Sequence, residues 1–243
     1  MRPPYFIAGT DALGGDRIVL RGQEGKHATT VRRLSAGETV YLTDGAGTVA
    51  RCVVTATRQG ELDLEVTERQ AEQRPVPSLT VVQAIPKGDR GELAVELLTE
   101  VGADLIVPWA AQRCVAQWRG DRAARALARW QSTALQAAKQ SRRAWFPEVT
   151  AQADLTAVVS RVAQAALAVL LDADAPDRLA DVAVPGTGEM VLIVGPEGGI
   201  TPAEEERLRA AGAIGARLGP TVLRASSAGI AAAAIMLSRT ARW

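Results

Sequence analysis

Histidine is almost missing from this 243-residue chain: His27 stands alone. That excludes a His-rich metal cluster, leaves no metal partner to expect, and makes any histidine-based catalytic triad depend on one residue, which argues against serine-hydrolase chemistry. Cysteine is nearly as scarce. Cys52 and Cys114 lie far apart with no Cys-x-x-Cys pair, so neither a disulfide framework nor a zinc site is indicated, and two buried small hydrophobes is the plainer reading. No apolar run reaches the roughly 18 residues of a membrane-crossing helix, and the start Met1-Arg2-Pro3-Pro4-Tyr5 lacks a secretory signal's apolar stretch. A cytosolic protein with no membrane partner is expected. The Gly-Lys-Ser/Thr ending of a Walker loop and the Gly-x-Gly-x-x-Gly fingerprint are missing too, which removes support for nucleoside triphosphate use.

What is present is ordinary for a globular protein, with 47% hydrophobic and 23% charged residues, but the charge is unevenly placed. The net value of +1 conceals a cationic segment. From Arg113 to Pro147 stand Arg113, Arg119, Arg122, Arg125, Arg129, Lys139, Arg142 and Arg143 against one acid, Asp121. Such an imbalance favours a polyanionic partner.

The first seventy or so residues carry strand signals at Arg17–Leu20, Thr39–Leu42, Val49–Thr57 and Glu61–Thr67, broken by Asp44-Gly45-Ala46-Gly47 and Gln59-Gly60. They imply a small barrel or sandwich, with one or two helical turns over Glu24–Leu34. The polar stretch Arg69 to Pro77 reads as a linker, which sets expected domains at 1–74 and 75–243. From Ser78 the pattern alternates: strands at Leu79–Ile85, Asp104–Pro108, Ala166–Leu171, Met190–Val194 and Gly215–Leu218, helices at Glu92–Val101, Asp121–Ser141, Thr201–Ala211 and Ser226–Ser238. Alternation of this kind predicts an α/β domain with a parallel sheet covered by helices.

Two loops stand out. Met190–Val194 stops at Gly195-Pro196-Glu197-Gly198-Gly199, followed by Thr201-Pro202 and Glu204, Glu205 and Glu206, an N-cap, a first-turn proline and acids suited to a helix start. About twenty residues later comes Leu218-Gly219-Pro220-Thr221-Val222-Leu223-Arg224-Ala225-Ser226-Ser227. Two small-residue loops, each after a buried-type strand, predict a ligand cleft whose backbone a ligand can approach closely.

These loops resemble those of the RsmE family, the SPOUT-class methyltransferases of N3 of a uridine in 16S ribosomal RNA. The resemblance extends to Lys87-Gly88-Asp89-Arg90, to Gln140-Ser141-Arg142-Arg143 with Pro147, and to His27 with Val31-Arg32-Arg33-Leu34. It implies an N-terminal PUA-like β-barrel that binds RNA, a C-terminal α/β domain with a trefoil knot, a homodimer, and S-adenosylmethionine as cofactor. Carried over by position, the cofactor residues are Gly195, Pro196, Glu197, Gly198, Gly199, Leu218, Gly219, Leu223, Arg224, Ala225 and Ser226. The chain departs from the family where Thr221 replaces an Arg and Ala225-Ser226-Ser227 replaces Thr-Glu-Thr.

Methyl transfer to a ring nitrogen needs alignment and desolvation more than covalent activation, and the uridine N3 proton must leave. A guanidinium would stabilise the resulting anion through a uracil oxygen, which makes Arg224 the candidate catalytic residue, with Glu197 a second. Lys26, His27, Arg32, Arg33, Lys87, Arg113, Lys139, Arg142 and Arg143 are the candidate RNA contacts, the substrate being 16S rRNA in an assembled small subunit. The alternatives are a related knotted methyltransferase acting on tRNA or a ribose 2′-hydroxyl, and a non-catalytic RNA-binding assembly factor.

Overall fold

The computed structural model describes residues 3–243, which divide into two compact units. The first comprises the residues up to Arg74 together with Ala138–Phe146; the second comprises Pro75–Ala137 and Pro147–Trp243. Among the described residues, no helix is long and apolar enough to cross a membrane.

In the first unit, strands β1 (Tyr5–Ile7), β2 (Arg17–Leu20), β3 (Thr39–Thr43), β4 (Thr48–Arg58) and β5 (Glu61–Ala71) form one sheet in the order β1-β3-β4-β5-β2. Period-two alternation turns Ile18, Leu20, Val40, Leu42, Cys52, Val54, Leu62 and Leu64 into a common core with Phe6. Helix α1 (Thr10–Leu13) and α2 (Gly22–Lys26) fill the gaps, and α2 runs on into a π-helical turn over His27–Val31. The linker expected from Arg69 begins later than its polarity suggested. Residues 69–71 belong to β5, because β4 is long enough to pair with them, and Arg69 donates to the carbonyls of Leu13 at 2.8 Å and Gly15 at 2.7 Å.

The segment Ala138–Phe146 joins this unit through contacts that no periodicity announces. Lys139 Nζ lies 2.6 Å from Glu24, Phe146 N donates to Gly45 O at 2.8 Å, and Trp145 Nε1 donates to Glu72 O at 2.9 Å. A Cβ on Gly47, whose φ is 102°, would meet the Trp145 ring at 2.6 Å, so that turn must be glycine to let the indole close on it.

The second unit is a six-stranded, all-parallel sheet. Its strands are β6 (Ser78–Ala84), β7 (Leu105–Trp109), β8 (Glu148–Val149), β9 (Leu167–Leu171), β10 (Glu189–Val194) and β11 (Ile214–Ala216), in the order β11-β9-β10-β6-β7-β8. Alternate residues feed two cores. Leu79, Val81, Val169, Met190, Leu192 and Val194 face one side, while Val82, Ala84, Ala168, Leu170, Val191 and Ile193 face the other. Helices α3 (Arg90–Val101), α4 (Asp121–Gln140) and α7 (Ala225–Leu237) supply partners on the first face, and α5 (Leu155–Gln164) and α6 (Pro202–Ala210) on the second. Continuous apolar strands are what burial on both faces demands. Strand β8 and helix α5 carried no sequence signal strong enough to be expected.

Close to the end of the chain, Arg242 ties together two separated segments, at Pro77 and at residues 102–104. Its guanidinium reaches Asp104 at 2.6 Å and 3.2 Å, Pro77 O at 2.9 Å and Gly102 O at 2.7 Å, and both charged partners are largely buried. Truncating one member of such a pair leaves the other charge desolvated. Arg242→Ala should lower the unfolding free energy by about 3 kcal/mol, measured by urea denaturation; a midpoint unchanged from wild type would contradict this reading.

Candidate functional site

Because β9, β10 and β11 are parallel neighbours, the chain leaves all three at the same edge of the sheet: after Leu171, Val194 and Ala216. There a cleft of about 600 Å³ opens. Its walls are Leu170, Leu171, Val194, Ile200, Ala216, Leu218, Ala225 and Ala228, and its polar groups come from Asp172, Asp174, Glu197, Glu205, Thr221 and Arg224.

The loop after β10 turns back at once. Pro196 O accepts from Gly199 N at 2.9 Å, and Gly199 sits at φ 73°, a left-handed conformation for which glycine is the ordinary choice. A Cβ on Gly195 would lie 2.8 Å from Ile200 Cγ1, so the two ends of the turn close on each other. Thr201 then caps α6: its hydroxyl accepts from Glu204 N at 3.3 Å, while the Glu204 carboxylate accepts from Thr201 N at 3.0 Å. Glu204 is fully buried, and its other oxygen accepts from Gln112 N at 2.8 Å, so the same carboxylate also anchors the loop after β7.

Glu197 lines the cleft but has its Oε1 shared between Lys87 N at 3.4 Å and Arg90 at 3.6 Å. It ties the Lys87-Gly88-Asp89-Arg90 loop to the glycine turn. Gly198 does not line the cleft. A Cβ there would meet Arg113 at 3.2 Å, and Arg113 donates to Gly198 O at 3.2 Å, so this glycine allows a close approach of another segment and not of a ligand.

The loop after β11 is built differently. Among the described residues, the backbone N–H groups of Leu218, Gly219, Thr221, Val222 and Leu223 find no acceptor in the protein, at the rim of a concave site. Arg224 occupies the N-cap position of α7 without a side-chain capping bond, is exposed, and makes no ion pair among the described residues. Ala225 lines the cleft; Ser226 is buried beside it and does not. Asp172 and Glu205 are both held by Arg209, at 3.5 Å and 2.7 Å. Four carboxylates and one guanidinium thus surround the cleft, an arrangement suited to a ligand carrying positive charge.

Neither cysteine can act as a nucleophile. Burial pushes the Cys52 thiol up to about 11 and raises that of Cys114, which keeps both protonated at neutral pH.

Residues 72–237 match the RNA methyltransferase domain family, and residues 20–67 match the RNA methyltransferase PUA domain. The ribosomal RNA small subunit methyltransferase E of Mycobacterium bovis is 45% identical over 233 residues, covering 94% of this chain and 89% of its own. The chain belongs to the ribosomal RNA small subunit methyltransferase E family. The Bacillus subtilis member is 27% identical, covering 86% of this chain and 85% of its own. The crystal structure of the Neisseria gonorrhoeae member, bound to S-adenosyl methionine, superimposes with a TM-score of 0.85 at 27% identity and covers 98% of each chain.

Of the family-derived cofactor positions, Gly195, Pro196, Glu197, Gly199, Leu218, Gly219, Leu223, Arg224 and Ala225 come together on the cleft, and Gly198 and Ser226 stand outside its lining. Sequence reading missed the segment from Leu170 to Asp174. Its signal was the end of a third buried strand, since ligands in parallel sheets bind beyond the carboxyl ends of strands. The candidate RNA contacts divide between the units: Lys87 and Arg113 in the second, the remainder in the first. Lys26, Arg32 and Arg142 are exposed, as is Arg33. Lys139 is not a free cation. Its side chain is largely buried, its ammonium paired with Glu24 and placed 5.4 Å from the centre of the Phe6 ring, and Arg143 donates to Trp145 O at 2.9 Å.

His27 packs edge-on against Phe6, with ring centroids 6.0 Å apart. Partial burial, then the nearby Lys139 ammonium, lower its pKa below the ordinary 6.5, with Glu24 opposing. Since the folded state favours the neutral ring, its contribution to stability is full above the unfolded-chain value and is lost as pH falls through that value toward the folded one. As the sole histidine, it gives an unambiguous NMR titration, expected below 6.5 and moving upward in Lys139→Ala; a midpoint above 6.5 would contradict the assigned environment.

Proposed function

We propose that this protein transfers the methyl group of S-adenosylmethionine to N3 of a uridine in 16S ribosomal RNA, acting as a cytosolic homodimer on an assembled small subunit. The observation that carries the reading is the cleft at the common edge of β9, β10 and β11 in a chain of this family. Its residues fit the donor. About 600 Å³ lies within the range of small-molecule sites, apolar walls suit an adenosyl group, and the unused backbone donors from Leu218 to Leu223 suit a heterocycle's acceptors. Carboxylates around the rim suit a sulfonium and an ammonium.

When bound, the donor supplies an electrophilic methyl carbon whose adjoining positive charge disappears on transfer. The chain's own groups have other tasks. Arg224, unpaired and at the rim, can donate to a uracil oxygen and favour the base after its N3 proton has left. Glu197 holds the Lys87–Arg90 loop against the glycine turn and so fixes one wall. Exposed Lys26, Arg32, Arg33 and Arg142 in one unit, and Lys87 and Arg113 in the other, supply sequence-independent contacts to phosphates. A second copy of the chain has an apolar surface to meet: Val222 and Leu223 are exposed beside the cleft, and Ile230, Ala234 and Ile235 on α7 are incompletely buried. The trefoil knot belongs to the same reading, supported by the insertion of β10 between β9 and β6 and by the return of α7 onto that face of the sheet.

Three measurements check it. Nucleosides from the 16S rRNA of a deletion strain should lose 3-methyluridine and regain it on complementation; retention in the deletion strain would overturn the assignment. Arg224→Ala should reduce kcat about 100-fold, the scale of removing one donor to developing negative charge. Gly219→Val offers a steric test, because no atom lies within 4 Å of the added Cβ and the fold can accept it. By calorimetry it should weaken S-adenosylmethionine binding about tenfold or more, as branched carbon enters the cleft.

A further inference from the structure

A second concavity of about 530 Å³ lies in the same unit, between the start of α3 and the first half of α4. Two tryptophans line it. Trp130 is 2% exposed and meets Trp118 edge to face, with ring centroids 5.0 Å apart and planes at 84°. Gly91 makes room for the Trp130 indole, since a Cβ there would stand 2.8 Å from Nε1. Among the described residues no group accepts from that Nε1–H, although the residue lines the pocket. As a lining group with no acceptor in the protein, it can donate to an acceptor that enters the pocket from outside.

Three exposed arginines at helical spacing on α4, Arg122, Arg125 and Arg129, also line this pocket. Arg129 is paired with Glu92 at 3.1 Å. Arg122 and Arg125 have no ion pair among the described residues, which leaves two unneutralised guanidinium groups beside a half-buried aromatic ring. An aromatic platform flanked by free cations is the chemistry that receives a nucleobase and its phosphates.

The loop from Pro86 to Asp89 lines this pocket through Pro86, Gly88 and Asp89, and its neighbouring residues Lys87 and Arg90 hold Glu197 on the wall of the methyl-donor cleft. One short loop therefore separates the two concavities. We propose that the pocket between α3 and α4 binds an unstacked nucleotide of the RNA substrate, flanking the one that is methylated. The base rests on Trp118, its edge accepts from Trp130 Nε1, and Arg122 and Arg125 hold the adjoining phosphates. This rests on the methyltransferase reading and extends it to a substrate subsite remote from the reacting atoms.

The test is steady-state methylation of small ribosomal subunits together with calorimetric titration of S-adenosylmethionine. Trp118→Ala should raise KM for subunits about tenfold, the scale of losing one base–aromatic stack, while kcat and donor affinity stay at wild-type values. Trp118→Phe should restore most of the loss. Arg122→Gln with Arg125→Gln, both exposed and harmless to the core, should raise KM and flatten its dependence on salt. Wild-type KM and salt slope in this double variant would overturn the pocket even if Trp118→Ala failed to fold. Fluorescence anisotropy with a fluorescein-labelled oligouridylate should show the same weakening. A defect on subunits with none on the oligonucleotide would assign the pocket to a ribosomal protein and overturn the proposal. No methyl transfer by the wild-type protein would overturn the parent function and the subsite together, whereas transfer unaffected by every variant overturns the subsite alone.

Discussion

Parallel hydrogen bonding among β9, β10 and β11 is the constraint on which the site depends. Antiparallel neighbours would send successive loops to opposite edges; parallel ones deliver all three to one edge, where they must share space. The register of Met190 with Leu167 and of Ala216 with Leu171 brings the strand ends level, so the glycine turn, the Asp172–Asp174 segment and the loop leading to α7 converge on one concavity. Burial on both faces holds that register, because a one-residue slip would exchange the side chains of the two cores.

Much of the cleft's shape is enforced by carboxylates serving as structural ties. Glu204 links the start of α6 to Gln112, Glu197 links the glycine turn to Lys87 and Arg90, and Arg209 clamps Asp172 and Glu205. The loop from Leu218 to Leu223 has no such ties through its backbone donors. That contrast separates a rigid wall from a surface whose hydrogen-bonding capacity is available to a ligand. It also gives Arg224 its standing, as a rim guanidinium with no carboxylate already attached to it. The loop after β6 connects this region to the tryptophan–arginine pocket, so the two concavities share a boundary of a few residues.

The sheet and most of its helices were legible because apolar strands buried on both faces and capped helices leave local signals. Thr201-Pro202 with Glu204 is a capping box in sequence and in space. Both glycine loops were legible for the same reason, each following a buried strand. Long-range matters were not. Nothing in the composition of α4 indicates that Lys139 near its end is taken up by Glu24, or that Trp145 would close on Gly47 in the first unit. Gly198 illustrates the limit: a small residue in a motif signals close approach, but only the fold reveals that the approaching group is Arg113. Trp118 and Trp130, twelve positions apart, become a pair only when a loop and a helix meet.

Titration of isotopically labelled protein with S-adenosylmethionine, followed by amide NMR, locates the donor on the protein. The largest shifts are expected at Gly195, Gly199 and the unused donors from Leu218 to Leu223, with Gly219 among them. Shifts concentrated around Trp118 and Trp130, or in the N-terminal sheet, or no shifts at saturating donor, would contradict that placement.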